Sequence, residues 1–345
     1  MMKKFHKPEI QGFIKKNVQK HRTDIAIVMS RHFGFSRQTA TKYLLKEVKK
    51  GTIIRTGKNR WIKYFPADGD YVSVVENNSE TLSEDQVWKK SIKPLLQLRL
   101  PKNIYNIVNY GFSEIYNNAI DHSNANRIFS DVEIKDQKIV IRIIDNGIGI
   151  FQKIQEALDL TTTRESVLHL SKGKFTTDPK KHSGQGIFFT SRMFDTFYIF
   201  SAGEVYVFKK EGWLLSDERK EIFGKGTMIM MELDLRSTRE AKQVFDKYSS
   251  IDEGFYKTKI SVALSGDPDD PHVSRSQARR MMVSVDKFKE VILDFESVTF
   301  VGQAFADEIF RVFQNEHPQV KIVVINATAD VNQMIQRTLN TNQSI

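Results

Sequence analysis

Two short runs limit what this chain can fold into. In Glu114-Ile-Tyr-Asn-Asn118-Ala-Ile-Asp121-His122 the polar residues Glu114, Asn118 and Asp121 recur at helical spacing. At i, i+4 and i+7 they share one helix face, with Ile115, Ala119 and Ile120 on the other. That pattern predicts a wet polar site above a packed core. The second run is Ile141-Arg-Ile-Ile-Asp145-Asn-Gly147-Ile-Gly149. It reads as a strand, Lys138 to Ile144, stopped at Asp145. The glycines after it suit a turn that needs positive φ or a close approach to a ligand.

Two further runs follow in the chain. His182-Ser-Gly184-Gln185-Gly186-Ile187 is a glycine-rich turn opening an apolar helix that reaches about Asp195. Backbone N–H groups at such a helix start can hold phosphate oxygens. Gly224-Lys-Gly226-Thr227 precedes a strand from Met228 to Leu235. In this order, the four runs resemble the N, G1, G2 and G3 boxes of the GHKL ATPases (gyrase, Hsp90, histidine kinases, MutL and anti-sigma-factor kinases). The resemblance spans residues 85 to 235. A lone Gly-x-Gly is common; the specificity lies in four signals in order.

The resemblance implies ATP and Mg²⁺ as cofactors and gives each residue a role. Asn118 would coordinate Mg²⁺ bridging the phosphates. Asp145 would accept a hydrogen bond from the adenine amino group. Gly147 and Gly149 would let the backbone close around the base. Gly184, Gln185 and Gly186 would sit at the triphosphate, at the end of a mobile lid over residues 150–183. Thr227 would support the adenine end. Glu114 stands where hydrolysing and Ser-phosphorylating members keep a general base. Asp121 and His122 would lie near the pocket, His122 in a structural role.

Charge divides the chain. Residues 1–66 hold 17 Lys and Arg against 3 Asp and Glu, a net +14, whereas the remainder is net −4. Such asymmetry points to nucleic acid or membrane contact. The basic segment reads as three helices and a hairpin. Glu9 to His21 is the first; Thr23 is the expected cap of the second, which runs to Phe33; Ser36 starts the third. Arg37, Gln38, Thr39, Thr41 and Lys42 fall on the third helix's exposed start, and Lys58 and Arg60 on the hairpin tip. This looks like a winged helix-turn-helix domain, which would place the Ser36 helix in the major groove of DNA and the wing on phosphate. The same fold used for protein contact is the competing expectation.

Residues 67–84 are polar and acidic and read as a linker, with a short strand at Tyr71 to Val75. Ser83 and Gln86 stand in capping-box positions, and Pro94 should kink or end the helix that follows. After a helical connector over residues 236–250, strands and helices alternate from 251 to 345, as in a small α/β domain. The runs Ser274 to Arg280 and Asp294 to Glu308 resemble a STAS-like domain of unknown function. The second also resembles the phospho-loop of anti-sigma-factor antagonists. Gln303 and Ala304 stand at its phospho-site, and neither has a hydroxyl to modify. Asp307 and Glu308, and the cluster Arg275, Arg279 and Arg280, are candidate contact surfaces.

The expected fold class is therefore α+β multidomain: a winged helix, an α/β sandwich of the GHKL type with helices on one sheet face, and a STAS-like α/β domain. There is no cysteine, no apolar run long enough to span a bilayer and no leader-like apolar start. A cytoplasmic protein without membrane contact is expected, with DNA as partner through residues 1–66. A regulatory protein at the STAS-like domain is the second expected partner, and homodimerisation is left open. Three functions compete: a nucleotide-gated DNA-binding regulator, a Ser/Thr kinase acting in trans, and a hydrolysing ATPase. A histidine kinase is disfavoured, since no His lies between Pro66 and Glu114.

Overall fold

The computed structural model describes residues 7–56, 62–66, 71–160, 162–176, 183–209, 212–215, 225–265 and 272–341. They fall into two compact units, Met1–Ile148 with Gly226–Thr238, and Gly149–Lys225 with Arg239–Ile345.

The first unit opens with helices α1 (Lys7–Asn17), α2 (Ile25–Phe33) and α3 (Arg37–Lys49), then the antiparallel hairpin β1 (Ile53–Thr56) and β2 (Lys63–Pro66). Ile10, Ile14, Ile25, Met29, Ala40, Leu44 and Ile53 make one core from all of these. Ser36 caps α3 by accepting from the Thr39 N–H at 3.1 Å. The expected Thr23 cap is not used: α2 starts one residue later behind Asp24, whose carboxylate faces the His21 ring at 3.2 Å. Buried Glu47 on α3 joins α1 to the turn before β1, accepting from Gln11, Lys50 and Thr52.

β3 (Tyr71–Asn77) lies in the segment read as a linker, yet it pairs along its whole length with the later strand β4. Val72 and Val74 are buried, so alternate apolar positions hold this stretch on the sheet. α4 (Glu84–Val87) is capped by Ser83 as expected. It continues through a widened π turn, Trp88–Ile92, into α5 (Lys93–Leu96). Pro94 lacks an N–H and crowds the preceding carbonyls, and the wider turn is how the helix passes it.

α6 (Lys102–His122) follows, then β4 (Arg127–Lys135) and β5 (Lys138–Asp145). The chain then enters the second unit with α7 (Ile150–Leu158), α8 (Thr163–Lys172), α9 (Gly186–Met193) and the antiparallel meander β6 (Thr196–Ser201), β7 (Glu204–Lys209) and β8 (Gly212–Leu215). β9 (Thr227–Asp234) belongs to the first unit, where the strand order is β3-β4-β5-β9, all antiparallel. Ile139, Ile141, Ile143, Ile229, Met231 and Leu233 alternate onto the buried face, where β5 packs against α6.

In the second unit α10 (Ala241–Tyr248) leads to the short strands β10 (Ser249–Ser250) and β11 (Gly254–Phe255). β12 (Lys257–Ser261), β13 (Glu290–Asp294) and β14 (Lys321–Ile325) form a parallel sheet in that order. Between and after them lie α11 (Arg275–Met282), α12 (Gln303–Asp307), a π turn at Glu308–Phe313, α13 (Gln314–Glu316) and α14 (Ala329–Thr341). At the end of β13, Asp294 pairs with Lys259 at 2.8 Å and accepts from Asn326 at 2.9 Å.

The arginine cluster is solvent-exposed, and each member has an acidic partner. Arg275 pairs with Asp307, Arg279 with Glu308 and Arg280 with Glu165. In the lid segment Lys172 is 2 % exposed and Lys174 donates to the Lys287 carbonyl. Lys180 and Lys181 lie outside the described residues.

Candidate functional site

α6 divides along its length as its sequence demands. Ile104, Ile107, Val108, Phe112, Ile115 and Ala119 are buried, while Glu114 and Asn118 are half-buried and Asp121 is exposed. The polar triplet therefore occupies one side of a helix whose other side is core. Tyr110, one turn before Glu114, has its hydroxyl held above the usual tyrosine range by burial, and further by the Glu114 charge.

The helix ends against the turn after β5. Ser123 Oγ donates to the Ala119 carbonyl and accepts from the Ala125 N–H. The Ser123 carbonyl accepts from the Ile148 N–H at 3.0 Å. A Cβ on Gly147 would stand 1.9 Å from that carbonyl oxygen, so only glycine lets turn and helix end meet. Asn78 donates to the Ile120 and Ala125 carbonyls, and Asn146 accepts from the Arg127 N–H. Sequence reasoning missed Asn78, Ser123 and Asn146; an amide or hydroxyl beside a glycine turn is too common a pattern to single out.

Asp145 sits at the centre of this junction. It is buried, and Oδ1 accepts from the Gly147 N–H at 2.9 Å and the Thr227 N–H at 3.3 Å. Asp145 and Thr227 are register partners across β5 and β9. Oδ2 accepts from none of the described residues. Burial raises the carboxyl above the usual carboxylate range, and the two amide bonds offset this only in part. An ionised carboxylate is acceptor-only, so an oxygen left over here suits an amine and repels a carbonyl. Gly226 is as constrained as Gly147: its φ is +89° and a Cβ would lie 2.1 Å from the Asp145 carbonyl oxygen. Gly224 lies outside the described residues.

Asp145, Gly147 and Thr227 are thus in direct contact, and Glu114, Asn118 and Asp121 share the face of α6 in the same unit. Gly149, Gly184, Gln185 and Gly186 belong to the second unit. Gly149 precedes α7 with φ +90°. Gly184 has φ +68°, and a Cβ there would stand 2.3 Å from the Phe175 carbonyl oxygen. Gln185 is the N-cap of α9 and Gly186 its first residue, so the helix start coincides with the glycine box. α9 is anchored by Phe188 and Phe189, which pack on Tyr248, Phe245 and Phe255.

The comparison with protein families bears on these segments. Residues 107–237 match the family described as histidine kinase-, DNA gyrase B-, and HSP90-like ATPase. Residues 277–332 match a STAS-like domain of unknown function. The chain carries a GHKL-type ATPase domain followed by a STAS-like domain. None of the curated proteins compared with the sequence matches it. A GHKL-type domain implies nucleotide binding, and the residues fit an adenine nucleotide: a buried carboxylate keeps one acceptor oxygen over, beside backbone that only glycine can form. Mg²⁺ would have to be held chiefly by phosphates, with Asn118 adding one amide oxygen, because no cluster of acidic or His side chains among the described residues could cage a metal. Among those residues, too, no helix is long and apolar enough to cross a membrane.

The second candidate surface is on α3. Arg37, Gln38 and Lys42 are exposed, and Thr39 and Thr41 half-exposed. The Thr41 hydroxyl donates to the Arg37 carbonyl and the Thr39 hydroxyl meets Ser36 Oγ, so both are occupied locally. Lys58 and Arg60 lie outside the described residues.

Proposed function

We propose that the chain is a nucleotide-gated, DNA-binding regulator: a GHKL-type domain binds Mg·ATP, and occupancy alters how the N-terminal segment engages DNA. The observation carrying this is a division of labour within one chain. A +14 segment presents the exposed start of α3, while Asp145, in the same compact unit, is buried with an Oδ2 that accepts from none of the described residues. Three helices and a hairpin around one core are the parts of a winged helix. The Ser36-capped end of α3 is the element that would enter the major groove. Arg37, Gln38, Thr39, Thr41 and Lys42 would face the bases and phosphates there, and Lys58 and Arg60 would reach phosphate from the wing. A gate of this kind requires ATP to bind two states of the protein unequally.

Asn118 would hold the metal with the phosphates, Asp145 the adenine amine, Thr227 the adenine end, and Gly184, Gln185 and Gly186 the phosphate end. When bound, Mg²⁺ would neutralise phosphate charge. The chain's own part is orientation, adenine selection and closure of the backbone on the base.

The test is fluorescence anisotropy of the full chain on a short duplex, with and without Mg²⁺ and a non-hydrolysable ATP analogue. Binding should weaken steeply as salt rises, because released counterions drive it. It should also shift with the analogue. No binding at low salt would strike out DNA and leave the N-terminal segment as a protein-docking module.

A second reading rests on Glu114, one turn before Asn118 on the same face, where a general base would stand in a Ser/Thr kinase or a hydrolysing ATPase. If the domain turns ATP over, Glu114→Ala should lower the rate by about 10²-fold or more while leaving nucleotide affinity near wild type. Unchanged turnover in a phosphate-release assay removes Glu114 as the base.

A further inference from the structure

The stretch between the two glycine boxes is fastened to the C-terminal sheet. Lys172 ends α8, and its Nζ donates to the Val283 carbonyl at 3.1 Å and approaches the Arg280 carbonyl at 3.5 Å, both at the end of α11. The Lys172 carbonyl in turn accepts from Thr258 Oγ1 on β12 at 2.6 Å. Near the start of α8, Glu165 pairs with Arg280 at 3.3 Å. Just past its end, Gly173 has φ +77°, and a Cβ there would stand 2.8 Å from the Phe255 ring. Lys174 then donates to the Lys287 carbonyl at 2.6 Å, with its ammonium 4.5 Å from the Phe288 ring centroid.

These contacts are specific in a way that simple covering of a sheet is not. Apolar residues would cover β12 without placing an amine at a helix end. Here burial drives the Lys172 ammonium down to about 7 and, with the Lys172 charge, the buried His169 imidazole down to about 3. Polar groups so placed cost stability unless every partner is in position, and they therefore define one docked geometry. The fastening uses both ends of α8 and three separate parts of the C-terminal region.

We propose that α8 is a shared element through which the STAS-like region and the nucleotide pocket regulate each other. This rests on the nucleotide binding proposed above. α8 packs on α9, whose start carries the Gly184–Gly186 box proposed for phosphate, so a box drawn onto phosphate would load the clamp on β12 and α11. By linkage, whatever binds the STAS-like region and strains that clamp alters nucleotide affinity by the same factor.

The experiment combines titration calorimetry with hydrogen exchange on the full chain, using Mg²⁺ and a non-hydrolysable ATP analogue. On nucleotide binding, exchange should slow in residues 163–176 and also in 257–264 and 275–283. Arg280→Glu should bind nucleotide about fivefold more weakly, because an undocked α8 must be ordered on binding. The reversed pair Glu165→Arg with Arg280→Glu should recover that loss. Lys172→Met fills the same space without donating; it should bind nucleotide yet lose the response at 257–264 and 275–283. Nucleotide bound by the wild type with exchange in those segments unchanged overturns the coupling alone. No binding in the calorimeter removes the nucleotide reading itself, and the coupling with it.

Discussion

Asp145→Asn is expected to weaken adenine-nucleotide binding about a hundredfold while leaving the domain folded. The two backbone N–H donors, from Gly147 and Thr227, converge on Oδ1. An asparagine carbonyl can replace that oxygen, so the turn is kept. The same two bonds then fix the amide's orientation and put its NH₂ where Oδ2 was. A donor would face the adenine amine, which is also a donor. A hydrogen bond to a charged acceptor is worth about 1.5–3 kcal/mol, and the clash of donors adds to its loss. Calorimetric titration with the ATP analogue measures the affinity, and a thermal melt of the free protein checks the fold. Wild-type affinity in a folded variant would remove Asp145 from the site.

Gly147→Ala should be more damaging still, and by another route. The added methyl would stand 1.9 Å from the Ser123 carbonyl oxygen and 2.6 Å from its carbon, both backbone atoms that no rotamer change can move. Relief requires separating the turn from the end of α6. That breaks the Ile148-to-Ser123 bond and disturbs the Gly147 donor to Asp145. A cost of about 3 kcal/mol fits overpacking against fixed atoms, and for a domain of this size it lowers the midpoint of unfolding by roughly 10 °C. Nucleotide binding should be lost in parallel. Gly12→Ala is the contrast: nothing lies within 4 Å of a Cβ there, and the residue is inside α1. It should gain about 1 kcal/mol from helix propensity. Equal melting of Gly147→Ala and wild type would show that the turn yields more easily than its packing indicates.

Much of the site was legible because its chemistry is local. Polar residues at i, i+4 and i+7 define a helix face whatever lies around them, and Asp-Asn-Gly after an alternating strand defines a turn. Ser83 and Ser36 were legible as caps for the same reason, since a cap is decided within one turn of helix. One failure is local: the Thr23 cap is displaced by one residue to Asp24. The rest are non-local. β3 reads as a short strand within a linker because its neighbours are acidic and polar; it extends and joins the sheet because β4 supplies a partner for every residue from Tyr71 to Asn77. A lysine in the lid segment gives no local sign of burial. Lys172 is buried because Val283, more than a hundred residues on, offers a carbonyl at the end of a helix. Arg275, Arg279 and Arg280 read as a basic cluster, and the acidic partners Asp307, Glu308 and Glu165 come from distant parts of the chain.

By itself the sequence determined the order of the parts: a basic N-terminal segment, four runs that resemble the GHKL boxes, and a STAS-like domain with Gln303 and Ala304 where the resemblance has a phospho-site. Such features are set by residue type and short-range spacing, which fix backbone periodicity, turn conformation and net charge. Only the tertiary structure decided which charges meet and which are left over. It gave Asp145 Oδ1 two backbone donors, while Oδ2 accepts from none of the described residues. It also clamped a helix of the segment expected as a lid at both ends. Ion pairing, burial and steric closeness depend on atoms far apart in the chain, and short-range spacing cannot specify them.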